Sequence, residues 1–120
     1  MAQAGQLNIA HDQVGSRERL ALSGELDVVT APALDAAVER LLSAQVESLL
    51  LDLRAVSFID SSGLRTVLTA WDSCREASRE FLLIPGDGAC LRLFRITGVL
   101  DDLPLWELES GDGSAQLDLA

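Results

Sequence analysis

Leu49-Leu50-Leu51-Asp52-Leu53-Arg54-Ala55-Val56-Ser57-Phe58-Ile59-Asp60-Ser61-Ser62-Gly63-Leu64 is the stretch on which the fold turns. Its first five residues are short and apolar on both faces apart from Asp52, as in a central strand covered by other elements. The spacing ends this strand near Leu53 and leaves Arg54 to Ile59 as a linker carrying apolar Val56, Phe58 and Ile59. Beyond it, Leu64, Val67, Leu68, Trp71 and Cys74 form an apolar stripe at helical spacing, while Arg65, Asp72, Arg75, Glu76 and Arg79 lie largely off it. The pattern predicts an amphipathic helix that starts directly after Asp60-Ser61-Ser62-Gly63.

Upstream, Leu7 and Ile9 alternate with polar neighbours, Asp12 to Ser16 contains the turn residue Gly15, and Leu20 and Leu22 resume the alternation. This predicts a hairpin. Thr30 reads as a helix cap with Pro32 tolerated in the first turn, and Leu34, Val38, Leu41 and Leu42 share one face of a helix ending near Ala44. Downstream, Phe81 to Ile84 is an apolar strand stopped by Pro85-Gly86, and Leu91, Phe94 and Arg95 belong to a short third helix whose end Gly98 marks. Leu105 to Leu108 reads as a brief edge strand. Gly111-Asp112-Gly113-Ser114 belongs to a polar tail, residues 110–120, expected to be mobile. The order favours an α/β sandwich over residues 1–109, with a mixed sheet of four to five strands and helices mainly on one face.

A chain of 120 residues that is 48% hydrophobic can build one core, with no room for a second domain. Met1-Ala2-Gln3-Ala4-Gly5-Gln6 lacks the basic start and apolar run of a secretory signal, and no apolar stretch is long enough to span a bilayer. A cytoplasmic chain without membrane insertion is expected. The formal net charge of -10 would repel a phosphate backbone or an anionic bilayer, which argues against direct nucleic-acid binding. Cys74 and Cys90 form no C-x-x-C pair, and His11 is the single histidine, so a zinc site would lack ligands. Both cysteines read as core thiols, and neither a metal nor a cofactor is expected.

The serines of Asp60-Ser61-Ser62-Gly63 sit at a helix N-terminus, where the first backbone N–H groups lack intrahelical partners and the helix dipole is positive. Asp60 or Ser61 can act there as a simple cap; equally, a phosphate on the serine could be accepted without breaking the helix. Both readings use the same geometry. Phosphorylation adds about -1.5 to -2 charges and three acceptor oxygens, and Asp60 and Asp27 would make the modified surface strongly anionic. Catalysis fits less well. There is no G-x-S-x-G elbow, His11 falls in the first strand, and Gly86-Asp87-Gly88 lacks the lysine and spacing of a P-loop and reads as a turn. The chain is not expected to be an enzyme.

Three segments together resemble the STAS family, specifically its anti-sigma factor antagonists: Gly24-Glu25-Leu26-Asp27-Val28-Val29-Thr30-Ala31-Pro32, then Asp52 to Leu64, and Leu93-Phe94-Arg95-Ile96-Thr97-Gly98-Val99-Leu100. The resemblance implies a partner-switching cycle. The unmodified antagonist would bind a GHKL-type serine kinase that is itself the anti-sigma factor, freeing a sigma factor. The kinase would then phosphorylate and release the antagonist, and a phosphoserine phosphatase would reset it. By the same resemblance Ser61 is the phosphoacceptor and Ser62 its neighbour, Gly63 permits close approach, Leu64 starts the helix, and Asp27 lies near the site on the kinase-facing surface. Arg65 departs from the pattern, since many relatives have glycine there. A long cation at that position could pair with phosphate or with acidic kinase residues, or be a solvated surface arginine. The same fold also serves as an accessory subunit of ABC-type membrane transport complexes and as a component of stress-signalling scaffolds, which are the alternatives. A monomer or weak dimer is expected.

Overall fold

The computed structural model describes residues 6–106. In chain order it comprises β1 (Leu7–Val14), β2 (Arg17–Leu26), α1 (Ala31–Ser43), β3 (Ser48–Ile59), α2 (Ser61–Glu76), β4 (Glu80–Ile84) and α3 (Ala89–Thr97). β1 runs on to Val14, so the turn contracts to Gly15-Ser16, where Gly15 takes a φ of 65°. The sheet order is β1-β2-β3-β4; β1 and β2 are antiparallel, whereas β3 lies parallel to both of its neighbours. The β2-α1-β3 and β3-α2-β4 units are therefore crossovers that step in one direction across the sheet. A shared right-handed sense puts both helices on the same face, and α1 and α2 do pack together there.

That face holds the main core. Leu20, Leu22 and Leu26 of β2 and Leu49, Leu51, Leu53, Val56 and Ile59 of β3 meet Leu34, Val38 and Leu41 of α1, Val67 and Cys74 of α2, and Cys90 and Phe94 of α3. Each fully buried leucine contributes about 1.5–3 kcal/mol relative to exposure. Burial pushes the Cys74 thiol up to about 11 and that of Cys90 to about 12, so both behave as packed, unreactive thiols.

The stretch from Arg54 to Ile59 is not a linker. It continues β3, pairing Ala55 with Ser23, Val56 with Gly24, Phe58 with Glu25 and Ile59 with Leu26. Two register shifts, between Ala21 and Ser23 and between Gly24 and Glu25, explain why the sequence pattern concealed this. A bulge resets which side chain points inward, so the buried positions fall at Leu53, Val56 and Ile59, three residues apart instead of two. β4 stops at Ile84, opposite Asp52, and α3 packs against β3.

The other face of the sheet is held differently. Val14, Leu50 and Ile84 form a small apolar cluster with Leu82 and Trp106 packed on it. Beside it, Arg19 donates to both oxygens of Asp12 at 2.8 and 2.6 Å and to Asp52 at 3.3 Å, and Arg54 reaches Asp52 at 2.8 Å. Arg19 and Asp52 are both buried, and each charge answers another. At the β4 edge, Leu83 bridges Leu105 in parallel, donates to Pro104 O at 3.0 Å and accepts from Trp106 N at 2.9 Å. The expected edge strand is thus an isolated bridge at Leu105; its residues 107 and 108, and the tail 110–120, lie outside the described residues.

The hydrogen bonds from Arg19 hold the Asp12 carboxyl below its ordinary value, with partial burial opposing. A depressed carboxylate stabilises the fold above its unfolded pKa, and that contribution is lost as pH falls through the lowered folded value. Urea unfolding of wild type and Asp12→Asn is therefore expected to differ most at about pH 6 and to converge at about pH 2.

Candidate functional site

Because β2 and β3 are parallel and in register at Leu26 and Ile59, both strands end at the same edge of the sheet, and both hand the chain to a helix there. Leu26 is followed by Asp27 and Ile59 by Asp60. The two aspartates sit at equivalent points, each at the mouth of a helix. The Asp60 N–H donates to the Leu26 carbonyl at 3.3 Å, stitching the two strand ends together.

Asp27 caps α1. Its Oδ1 accepts from Val29 N at 3.0 Å and Thr30 N at 3.1 Å, and its carbonyl accepts from Ala31 N at 2.8 Å, the first helical bond. Thr30 reciprocates: its Oγ1 accepts from Asp27 N at 2.9 Å and donates to Glu25 O at 2.8 Å. Thr30 therefore holds the expected N-cap position before Ala31 but makes no side-chain capping bond of its own. The capping acceptor comes from Asp27, three residues earlier, and Thr30 is the return arm of the capping-box pair. The Asp27-x-x-Thr30 spacing carried that signal.

Asp60 caps α2. Its backbone is extended, with φ -117°, and its Oδ1 accepts from Gly63 N at 3.0 Å, while its carbonyl accepts from Leu64 N at 2.9 Å. Of the two capping candidates, the aspartate takes the role. Ser61 is then the first residue inside the helix. It is exposed, and among the described residues its hydroxyl has no hydrogen-bond partner. Ser62 is half-buried, Gly63 buried, Leu64 half-buried against the core, and Arg65 exposed one turn further on.

Gly63 serves packing. A Cβ there would lie 2.4 Å from the Leu26 carbonyl oxygen and 2.8 Å from Cγ1 of Ile59, so the first turn of α2 rests directly on the end of β2. At this end of the sheet, Val28 and Val29 just after β2 and Phe58 near the end of β3 are exposed at 67%, 57% and 49%, apolar surface that sequence reasoning had not assigned. Among the described residues no cluster of His, Cys, Asp or Glu could hold a metal ion, and no helix is long and apolar enough to cross a membrane.

A four-stranded mixed sheet with its helices on one face, and a helix mouth of Asp-Ser-Ser-Gly at the end of the central parallel strand, define a STAS domain. The STAS domain pattern matches residues 14–110, and the chain belongs to this family. Curated relatives that it matches include anti-sigma-B factor antagonists. The anti-sigma-B factor antagonist of Listeria monocytogenes is 34% identical over 88 residues, covering 73% of this chain and 77% of that protein. The crystal structure of an anti-sigma factor antagonist from Mycobacterium paratuberculosis superposes with a TM-score of 0.76 at 25% identity, covering 94% and 95% of the two chains. The Bacillus cell fate determinant SpoIIAA in its phosphorylated form shares the fold, with a TM-score of 0.67 at 17% identity and coverage of 92% and 99%.

Gly63→Ala is expected to cost about 1–3 kcal/mol, because backbone must move to admit the methyl group. Asp60→Ala removes a cap without crowding and is expected to cost about 1 kcal/mol. Urea unfolding of the two variants checks both values.

Proposed function

We propose that this protein is an anti-sigma factor antagonist that binds a GHKL-type serine kinase acting as anti-sigma factor, and is switched off when that kinase phosphorylates Ser61. In its unmodified form it occupies the kinase and so frees a sigma factor for RNA polymerase. A separate phosphatase restores it. The chain is ligand and substrate in this cycle and supplies no catalytic group, and it works in the cytoplasm, where sigma factors act.

The observation that carries this reading is the idle hydroxyl of Ser61. Asp60 already satisfies the capping position through Gly63 N, so Ser61 Oγ is exposed, without a partner among the described residues and available for attack. In the transfer, Oγ forms a bond to the γ-phosphorus of ATP, the bond from that phosphorus to the β–γ bridging oxygen breaks, and ADP leaves. The hydroxyl proton passes to a base on the kinase. The fold tolerates the product, because the first turn of a helix is where anions are favoured. A docked partner does not. Two unit charges of like sign ~6 Å apart at an effective dielectric of ~20 repel by about 3 kcal/mol before salt screening, and about 1.4 kcal/mol changes an affinity tenfold. The exposed Val28, Val29 and Phe58 offer apolar surface for docking at the end of the sheet where α2 begins. A phosphate set next to such a contact must be desolvated or expel it. The names of the relatives support the same reading, as does a phosphorylated form of SpoIIAA.

Incubation with a cognate kinase and ATP is expected to add one phosphoryl group, located on Ser61 by intact-mass and fragment-mass measurement. Ser61→Ala abolishes the addition while retaining kinase binding, and Ser61→Asp weakens binding. Labelling confined to Ser62, or undiminished in the alanine variant, overturns the assignment.

A further inference from the structure

Arg65 stands four residues beyond Ser61 on one unbroken helix, so the two side chains lie on the same face one turn apart, with about 5–6 Å between Cβ atoms. Both are exposed. Among the described residues Arg65 has neither an ion pair nor a hydrogen bond. Its surroundings explain this. With Leu68, Thr69, Trp71, Asp72 and Arg75 it lines a shallow groove of about 350 Å³ along α2. The acid in that groove, Asp72, is already held by Arg75, whose guanidinium lies over the Trp71 ring at 5.4 Å from its centroid. On the other side of Ser61, Asp60 directs its Oδ1 at Gly63 N. Arg65 is thus a cation whose neighbouring carboxylates are engaged elsewhere, beside a serine whose hydroxyl is idle.

We propose that Arg65 captures the phosphate of modified Ser61 and that this pairing is part of the switch; the inference rests on Ser61 being the phosphoacceptor. An anion on the N-terminal side of a cation at i,i+4 is the favoured orientation on a helix. A guanidinium can also meet two phosphate oxygens at once, where an ammonium acts as a point charge. Before modification, Arg65, unpaired among the described residues, is a positive charge on a chain of net charge -10, available to an acidic side chain of the docked partner. After modification it is folded back onto the phosphate. One covalent event therefore changes two adjacent positions on the docking face: an anion appears at Ser61 and a cation is withdrawn at Arg65. The same pairing tightens the first turns of α2, which opposes the fraying that repulsion between phosphate and Asp60 would cause.

The test installs phosphoserine at position 61 of the full chain during translation, so that it does not depend on any kinase. Thermal unfolding is then compared for Ser61 and phosphoserine forms, each with Arg65, Arg65→Gln and Arg65→Lys. Arg65→Gln is expected to lower Tm by about 2 °C or more in the phosphorylated protein beyond its effect on the unmodified one. Lysine retains part of that difference, and ~0.5 M NaCl diminishes it. In parallel, the Arg65 Nε–H resonance shifts on phosphorylation. Equal effects of Arg65→Gln with and without phosphate, together with an unshifted Nε–H, overturn the capture and leave Ser61 as phosphoacceptor untouched. A kinase that fails to modify Ser61 overturns the function proposed above without altering this measurement.

Discussion

The backbone at Leu26 is where the constraints on this molecule meet. Its carbonyl accepts the Asp60 N–H, and it lies so close to Gly63 that no side chain fits between them. Because the Leu26 side chain is itself fully buried in the core, the carbonyl has a fixed position. The end of β2, the end of β3 and the first turn of α2 are therefore one rigid junction. Whatever happens at Ser61 happens on a platform whose backbone is set by core packing and not by a loop.

That rigidity suits the charge switch proposed for Ser61. Asp27 and Asp60 both direct a carboxylate oxygen at backbone N–H groups, one at α1 and the other at α2. These bonds satisfy the helix ends without calling on Ser61. Had serine been the cap, its hydroxyl would have been engaged and modification would have broken a structural bond. Division of labour between adjacent residues separates stability, carried by Asp60 and Gly63, from the chemistry available at Ser61. A change of charge there can alter what docks on the edge while the sheet beneath it stays as it is.

The two faces of the sheet obey different rules. Toward the helices, packing is apolar and continuous from β2 to α3. On the far face, the buried Arg19 and Asp52 are linked with Asp12 and Arg54, and Arg17 lies 4.7 Å from the centre of the Trp106 ring. Buried charges are tolerated only when each is answered. Here the answering groups come from β1, β2 and β3, so the network also specifies how the hairpin sits on the parallel strands.

Local pattern determined much of this protein by itself. The α1, α2 and α3 stripes, the hairpin, the apolar first half of β3 and β4 were all legible, since amphipathic periodicity records which side of an element meets a core. So was the placement of Asp60-Ser61-Ser62-Gly63 at a helix mouth. Resemblance to a family, and not periodicity, singled out Ser61 and drew attention to Asp27. Tertiary structure alone decided the rest. The second half of β3 was hidden because two register shifts against β2 moved its inward positions to Leu53, Val56 and Ile59, and register is a property of two paired strands. The choice of Asp60 over Ser61 as cap depends on the extended backbone with which β3 enters α2. The need for glycine at position 63 depends on Leu26, far away in sequence, arriving beneath it. Each of these follows from contact between segments that are distant along the chain, and that is information a one-dimensional pattern does not contain.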